Sequence, residues 1–173
     1  QGTNTFGQWL LNVMLSFQTR NNPISGFTAL QFAQQAFFVY NDIDPVIRPH
    51  LAGRRLVFTG HSLGGAIAQC LSNIYFNQGN RNNAAFVLGC PRVGDPAFAG
   101  AVDGYVYRAE NAGDAIVGMP PTTWAGLGSI YPGDPKPPLC TYQHGGVPKT
   151  IDLSGNVNPG STPPQKDVIL ADF

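Results

Sequence analysis

A serine flanked by glycines is the part of this chain best suited to chemistry. Residues 60–65 read GHSLGG, which places Ser62 in a Gly-x-Ser-x-Gly pattern. A serine hydroxyl acts as a nucleophile when the backbone lifts it clear of its neighbours and a general base removes its proton. Gly60 and Gly64 would remove the side chains that clash where a strand turns sharply into a helix. The pattern therefore predicts a nucleophile elbow at Ser62.

The residues around the motif have the patterns of the two elements that such an elbow needs. Residues 55–59, RLVFT, form a short apolar run typical of a strand in a parallel sheet. After the glycines, apolar residues recur at helical spacing: Ala66, Ile67, Cys70, Leu71, Ile74 and Tyr75. The Leu63 N–H would start this helix without a partner, so we expect it to stabilise an oxyanion. The alternative is a tight turn in which Ser62 is an ordinary N-cap.

Strand and helix patterns alternate along the rest of the chain. The other predicted elements are a helix over 8–17, a helix over 27–43 ended by Pro45 and Pro49, strands over 84–89 and 105–109, an extended stretch over 141–153 with a turn at Gly145-Gly146, and a loop over 154–165. This alternation predicts an α/β fold with a mostly parallel central sheet and helices on both faces, within one domain over residues 1–173.

Composition narrows the classes of function. The formal net charge is +0 and no basic stripe is present, so we expect no nucleic-acid partner. No apolar run approaches the roughly 20 residues of a membrane span, so we expect no transmembrane segment. The cysteines Cys70, Cys90 and Cys140 form no CxxC pair, which argues against a zinc cage. We expect Cys70 and Cys90 to be buried free thiols.

An acid and a base must accompany a serine nucleophile. Asp114 follows the predicted strand at 105–109 and comes after Ser62, at the end of the sheet where open α/β sheets carry their sites. Its alternative role is to cap a turn after Gly113. Of the three histidines, His50 lies in a predicted surface loop, and His61 should point away from Ser62 to pack or donate a hydrogen bond. His144 is the only histidine after Asp114 and is a candidate base.

Several motifs together resemble one family. GHSLGGA at 60–66, PRVGDPAFA at 91–99 and DAIVGMPP at 114–121 occur in the order seen in class 3 lipases, the fungal triacylglycerol lipase group of the α/β-hydrolases. The opening QGTNTFGQWLLNV and ISGF at 24–27 are similar to that family too. The resemblance implies that Ser62 is the nucleophile, Asp114 the acid, and Thr3 an oxyanion residue beside Leu63. It also implies a lid at residues 8–17, for which an ordinary core helix is the alternative.

The resemblance also bears on the missing base. In the family, a histidine in a stretch comparable to TYQHGG, which holds His144, is not catalytic, and the catalytic histidine comes late in the domain. The chain stops at ILADF, residues 169–173, and begins inside a motif. We therefore expect an incomplete domain, truncated at both ends, whose general base follows Phe173.

These features predict a serine hydrolase that cleaves carboxylic esters of lipids, without a metal or cofactor. The implied partner is a lipid ester at an oil–water or membrane interface. Phospholipase A1 and feruloyl esterase activities are alternatives, as is an inactive hydrolase-fold protein that lacks the base. The low content of charged residues, 12%, and the many glycines and prolines favour secretion.

Overall fold

A five-stranded sheet organises the described part of the chain. The structure is a computed structural model that describes residues 18–19, 22–124, 140–151 and 156–159. In spatial order the sheet contains β3 (Leu56–His61), β4 (Asn83–Leu88), β5 (Val106–Asn111), β8 (Val147–Ile151) and β9 (Val157–Pro159). The first four strands run parallel and β9 runs antiparallel to β8. The carboxyl ends of the parallel strands therefore meet at one edge, which we name the carboxyl edge.

Short strands and helices complete the described elements. Two small antiparallel sheets pair β1 (Gln18–Thr19) with β2 (Thr28–Ala29) and β6 (Thr123–Trp124) with β7 (Cys140–Thr141). The helices are α1 (Leu30–Ile47), α2 (Leu63–Asn77) and α3 (Pro96–Val102), and one 3₁₀ turn spans Arg48–His50. Helix α2 connects β3 to β4, and α3 connects β4 to β5, as in successive parallel crossovers. None of the helices in the described ranges is long and apolar enough to cross a membrane.

The core lies on one face of the sheet. Strand residues Phe58, Val87 and Val106 belong to a buried apolar cluster with helix side chains from α1, α2 and α3: Phe32, Ile74 and Phe98. Side chains alternate between the two faces along a strand. Accordingly, Val57, Phe86 and Leu88 are exposed on the opposite face, by 46 to 51%. The predicted α/β class is confirmed, but within the described residues the helices pack on a single face.

The first long helix is longer than predicted. It begins at Leu30 instead of residue 27 and runs through Pro45 to Ile47. The prediction that Pro45 ends it is wrong. Proline removes one N–H and crowds the preceding turn, which breaks a helix most strongly in its interior. Pro45 lies near the carboxyl end, where the chain soon passes into the 3₁₀ turn at Arg48.

Helix α3 and strand β9 are among the short elements that the sequence did not predict. Helix α3 begins where the Asp95 side chain accepts a hydrogen bond from the Phe98 N–H at 2.8 Å, a standard N-cap. The predicted loop over 154–165 contains β9, which pairs with β8 through backbone groups. Glycine- and proline-rich composition hides such a strand because its pairing does not depend on side chains. The prediction of buried free thiols at Cys70 and Cys90 is confirmed.

Candidate functional site

Ser62 occupies a strained turn at the carboxyl edge. It lies between β3 and α2 with φ 54° and ψ −124°, and it is the only non-glycine residue with positive φ in the described ranges. Such a conformation is costly for a residue with a side chain and persists only where the surroundings enforce it. The Ser62 N–H donates to the Leu88 carbonyl at 2.9 Å, and the Ser62 carbonyl accepts from the Gly65 N–H at 2.9 Å. The turn is therefore held by β4 on one side and by α2 on the other.

Two glycines make this turn possible, but one of them is not the glycine predicted. A Cβ at Gly60 would overlap the Gly64 carbonyl and lie 2.6 Å from the Gly65 nitrogen. A Cβ at Gly65 would lie 3.1 Å from the Cβ of Cys90. At Gly64, a Cβ would meet no described atom within 4 Å. The expectation for Gly60 thus agrees with the structure, whereas Gly64 has no such contact and the tight packing lies at Gly65 instead.

The Ser62 side chain does not cap the helix that follows it. Helix α2 has Ser62 at its N-cap position with no side-chain hydrogen bond to the helix, and the residue is half-buried. The Leu63 N–H donates to no group in the described residues. The serine hydroxyl and an unpaired N–H therefore lie on adjacent residues, the pairing that an oxyanion site needs. Thr3, the second expected oxyanion residue, and residues 8–17 lie outside the described ranges.

Asp114 lies in a loop after β5. Its N–H donates to the Asn111 carbonyl at 3.1 Å, and its Oδ1 accepts from the Ile116 N–H at 2.9 Å. This second bond is the turn-capping role considered as the alternative reading. It occupies only one carboxylate oxygen. The capping role and a catalytic role are therefore compatible, because capping fixes the plane of the group.

The other carboxylate oxygen lies beside Gly89, the first residue after β4. A Cβ at Gly89 would lie 2.8 Å from Asp114 Oδ2 and 3.4 Å from His61 Nε2. Gly89 has φ 49° and follows Leu88, whose carbonyl binds the Ser62 N–H. The end of β4 therefore brings together the serine turn, the Asp114 carboxylate and the His61 ring.

The three histidines occupy different environments. His50 is exposed in the 3₁₀ turn, as predicted. His61 is exposed and forms no hydrogen bond with the described residues, so the structure does not show the hydrogen bond that was one of its expected roles. His144 is only 6% exposed: its Nε2 lies 2.9 Å from the Val117 carbonyl and its Nδ1 lies 3.9 Å from Glu110 Oε1. A carbonyl only accepts, so Nε2 carries a proton and donates it to Val117.

Sequence reasoning missed Gly89 and Arg92. The buried Arg92 side chain donates to the carbonyls of Gly118 and Pro120 at 2.5 and 2.6 Å, and its N–H donates to the Met119 carbonyl at 2.7 Å. One signal was available, since Arg92 is the only charged residue between the strand pattern at 84–89 and Asp95. Its partners were not readable, because they lie more than 25 residues away.

The described residues hold no group of three or more His, Cys, Asp or Glu side chains placed to bind a metal ion. The arrangement at the carboxyl edge consists of a serine hydroxyl, an N–H without a partner in the described part of the chain, and a carboxylate. These groups suit acyl transfer, in which a nucleophile attacks a carbonyl and donors stabilise the resulting oxyanion.

Comparison with known proteins identifies the family of this chain. Residues 1–124 match the family model described as Lipase (class 3). A lipase from Rhizopus niveus is 29% identical over 144 residues, which are 77% of this chain and 36% of that protein. The crystal structure of a lipase from Rhizopus microsporus var. chinensis superposes with a TM-score of 0.70 at 26% identity, covering 93% of this chain and 56% of that one.

A third comparison supports the fold. A triacylglycerol lipase whose catalytic centre is a serine protease triad superposes with a TM-score of 0.70 at 21% identity, covering 98% of this chain and 64% of that one. The chain thus spans about a third of the length of the Rhizopus niveus lipase and less than two thirds of each of these structures. The solved structures share the α/β-hydrolase fold, and the family match extends over well over half of the sequence. The chain therefore belongs to the class 3 lipase family.

Proposed function

We propose that this chain provides the nucleophile and the acid of a lipase that hydrolyses carboxylic esters of lipids. The observation that carries the proposal is the Ser62 turn, whose left-handed backbone presents a hydroxyl that does not cap α2, beside a Leu63 N–H that has no partner among the described residues. An ordinary strand-to-helix turn has no need of this strain. Strain of this kind clusters at active sites, where it forms part of the catalytic arrangement.

In the proposed mechanism, a histidine accepts the Ser62 proton as Oγ attacks the ester carbonyl. The resulting oxyanion accepts hydrogen bonds from the Leu63 N–H and from Thr3. The protonated histidine then gives its proton to the leaving alcohol, and water hydrolyses the acyl-enzyme by the same steps. Loss of one oxyanion donor typically lowers turnover by about 100- to 1000-fold, so the two donors are a large part of the catalysis.

Asp114 would orient that histidine and stabilise its charged form. Its Oδ1 is held by the Ile116 N–H, while Oδ2 faces the space above Gly89. A carboxylate with one oxygen anchored and the other not engaged by that hydrogen bond is suited to receive an imidazole N–H. This geometry supports the acid role for Asp114 over a role confined to capping the turn.

We propose that the general base is a histidine outside this sequence. His50 is exposed in the 3₁₀ turn before β3, at the opposite end of that strand from Ser62. His144 is engaged through Nε2 with Val117 and faces Glu110 through Nδ1. His61 lies beside Asp114 Oδ2 and is the competing candidate. It is the last residue of β3 and immediately precedes Ser62, a position from which we expect its side chain to point away from the serine.

The substrate class is proposed from the relatives. The Rhizopus niveus relative is a lipase, and one structural neighbour is a triacylglycerol lipase with a serine protease triad. We propose triacylglycerols as substrates, a lid function for residues 8–17 at a lipid interface, and an extracellular location. Phospholipase A1 and feruloyl esterase activities are the competing specificities, which a panel of triacylglycerol, phospholipid and feruloyl ester substrates would separate.

Labelling with a fluorophosphonate probe tests the proposed nucleophile in the full-length protein. We expect the probe to modify Ser62, and Ser62→Ala to abolish both the label and ester hydrolysis. Ser25→Ala is the matched control, because Ser25 is a partly buried serine remote from the turn that should leave labelling unchanged. An unlabelled full-length protein would favour the inactive hydrolase-fold alternative.

A second arm of this experiment identifies the base. If the base lies outside this sequence, His61→Ala keeps measurable labelling and the 173-residue chain alone shows little turnover. Ser62-dependent hydrolysis of p-nitrophenyl esters by the isolated chain, lost in His61→Ala, would instead make His61 the base.

A further inference from the structure

We infer that His144 is a positioning residue for Asp114, which it holds in place through a hydrogen bond to the Val117 carbonyl. Arg92 donates hydrogen bonds to the same loop from another part of the chain. The inference rests on the acid role proposed for Asp114. We name residues 114–119 the acid loop. His144 does not touch the Asp114 carboxylate, so its effect must pass through the backbone.

Consecutive turns connect the residues of the acid loop to one another. The N–H groups of Val117, Gly118 and Met119 donate to the carbonyls three residues earlier, Asp114, Ala115 and Ile116, at 3.1 to 3.2 Å. Asp114 itself also accepts the Ile116 N–H through Oδ1. A displacement of Val117 or Gly118 is therefore transmitted to the Asp114 carboxylate.

The carbonyl groups at the far end of the acid loop bind side chains from elsewhere in the chain. His144 Nε2 donates to the Val117 carbonyl at 2.9 Å across 27 residues of sequence. Arg92 donates to the Gly118 carbonyl at 2.5 Å across 26 residues. Both side chains are almost fully buried, and hydrogen bonds away from water hold geometry more firmly than exposed ones.

His144 can hold the loop because its own position is fixed. On one side, Gly145 packs so closely on α3 that a Cβ there would lie 2.6 Å from the Ala99 carbonyl oxygen. On the other side, the Gln143 N–H donates to the Gly94 carbonyl at 2.8 Å. The residues on both sides of His144 are thus attached to the segment that runs from the end of β4 into α3.

The groups that face the His144 ring explain why a histidine suits this position. Nδ1 faces the buried Glu110 carboxylate at 3.9 Å, and Glu110 forms an ion pair with Arg108 on the same strand, β5. The ring therefore spans the space between a β5 carboxylate and the acid loop. An apolar side chain of similar size would fill this space but would leave the Val117 carbonyl without the Nε2 donor.

Two variants of His144 separate positioning from filling space. His144→Gln keeps an N–H donor within reach of Val117, whereas His144→Leu keeps bulk and removes the donor. In the full-length enzyme, we expect His144→Leu to lower kcat on a soluble p-nitrophenyl ester by about 10- to 100-fold, because displacement of a catalytic group by about 1 Å can cost 100-fold. KM should stay within about twofold, and His144→Gln should restore most of the lost kcat.

Hydrogen exchange of the amides in the acid loop provides a readout that does not depend on hydrolase activity. His144→Leu should speed exchange at Val117, Gly118 and Met119, while His144→Gln should leave it close to that of the unmodified protein. His50→Gln, a change at an exposed histidine in the 3₁₀ turn, is the control and should change neither rate nor exchange.

The outcomes are distinct. Unchanged exchange in the acid loop of His144→Leu would overturn the inference, even if Ser62 labels as expected. Equal losses of kcat in the Leu and Gln variants would overturn it too, because the donor would then be irrelevant. Faster exchange together with an unlabelled Ser62 would support the hold on the loop and contradict the proposed function.

Discussion

Ser62 and Asp114 lie at the same edge of the sheet, but the chain holds them there in different ways. The Ser62 turn is held by backbone packing and backbone hydrogen bonding, because a Cβ at Gly60 would overlap Gly64 and the Leu88 carbonyl accepts the Ser62 N–H. The acid loop is held by Arg92 and His144, which are remote in sequence. The comparison teaches that backbone groups hold the turn of the proposed nucleophile, whereas the loop of its proposed acid partner depends on buried side chains.

The largest expected effect comes from a change at Asp114, which tests whether this residue acts together with Ser62. Asp114→Asn keeps the size of the side chain and its acceptor for the Ile116 N–H, but removes the charge that stabilises an imidazolium. We expect kcat to fall by about 10⁴-fold, the loss seen when a serine protease triad loses this carboxylate. Steady-state hydrolysis of a p-nitrophenyl ester by the full-length protein measures this change in kcat. A rate within tenfold of the original would remove Asp114 from the mechanism.

Gly60→Ala tests whether local sterics hold the serine turn. The added Cβ overlaps the Gly64 backbone, which has no flexible side chain to move aside, so we expect the free energy of unfolding to fall by about 1–3 kcal/mol. Gly64→Ala is the matched control. It meets no described atom and lies in α2, where alanine favours helix, so its unfolding free energy should not fall. Urea unfolding of both variants measures the difference, and equal losses would contradict the local account.

Gly89→Ala tests the contact between the end of β4, which binds the serine turn, and Asp114 in the acid loop. The new Cβ would lie 2.8 Å from Asp114 Oδ2 and require a left-handed backbone at an alanine. We expect a loss of about 1–2 kcal/mol in stability from the backbone and a further loss of activity from displacement of the carboxylate. Gly53→Ala is the control, because Gly53 has φ 69° and no described atom near its Cβ position. If the two variants differ in neither activity nor stability, Gly89 has no special role beside Asp114.

The smallest effect concerns the thiol packed behind the serine turn. Burial raises the pKa of Cys90 to about 12 and also raises the pKa of Cys70, from an ordinary value of 9.0. The native state therefore keeps both protons when an unfolded chain would lose them. Their contribution to stability is present below pH 9 and is lost as the pH rises above it.

Alkylation with iodoacetamide at pH 9 in a Cys140→Ser background measures this protection. We expect neither Cys70 nor Cys90 to react in the native protein and both to react in denaturant, because burial keeps them as thiols. Rapid labelling of Cys90 in the native protein would mean that the packing of Cys90 beside Gly65 opens readily. The serine turn would then be less rigid than its comparison with the acid loop requires.

The parts of the fold that sequence could predict are those in which local pattern and local geometry coincide. The strand at 55–59 and the helix after the glycines were found within two or three residues, because one apolar run and one helical repeat define them. Pro45 was misread because a helix near its end tolerates the loss of one N–H. Strand β9 was missed because only its partner strand makes it a strand.

The sequence by itself determined that a serine stands among glycines between a strand and a helix, and that an aspartate follows a later strand of a parallel sheet. Both follow from residues close in the chain, where steric rules act directly. Only the tertiary structure decided that Gly65 rather than Gly64 packs against Cys90, that Gly89 makes room for the Asp114 carboxylate, and that His144 binds the acid loop. These contacts join residues about 25 apart or more, and which side chains meet across such separations depends on how the strands and helices pack together.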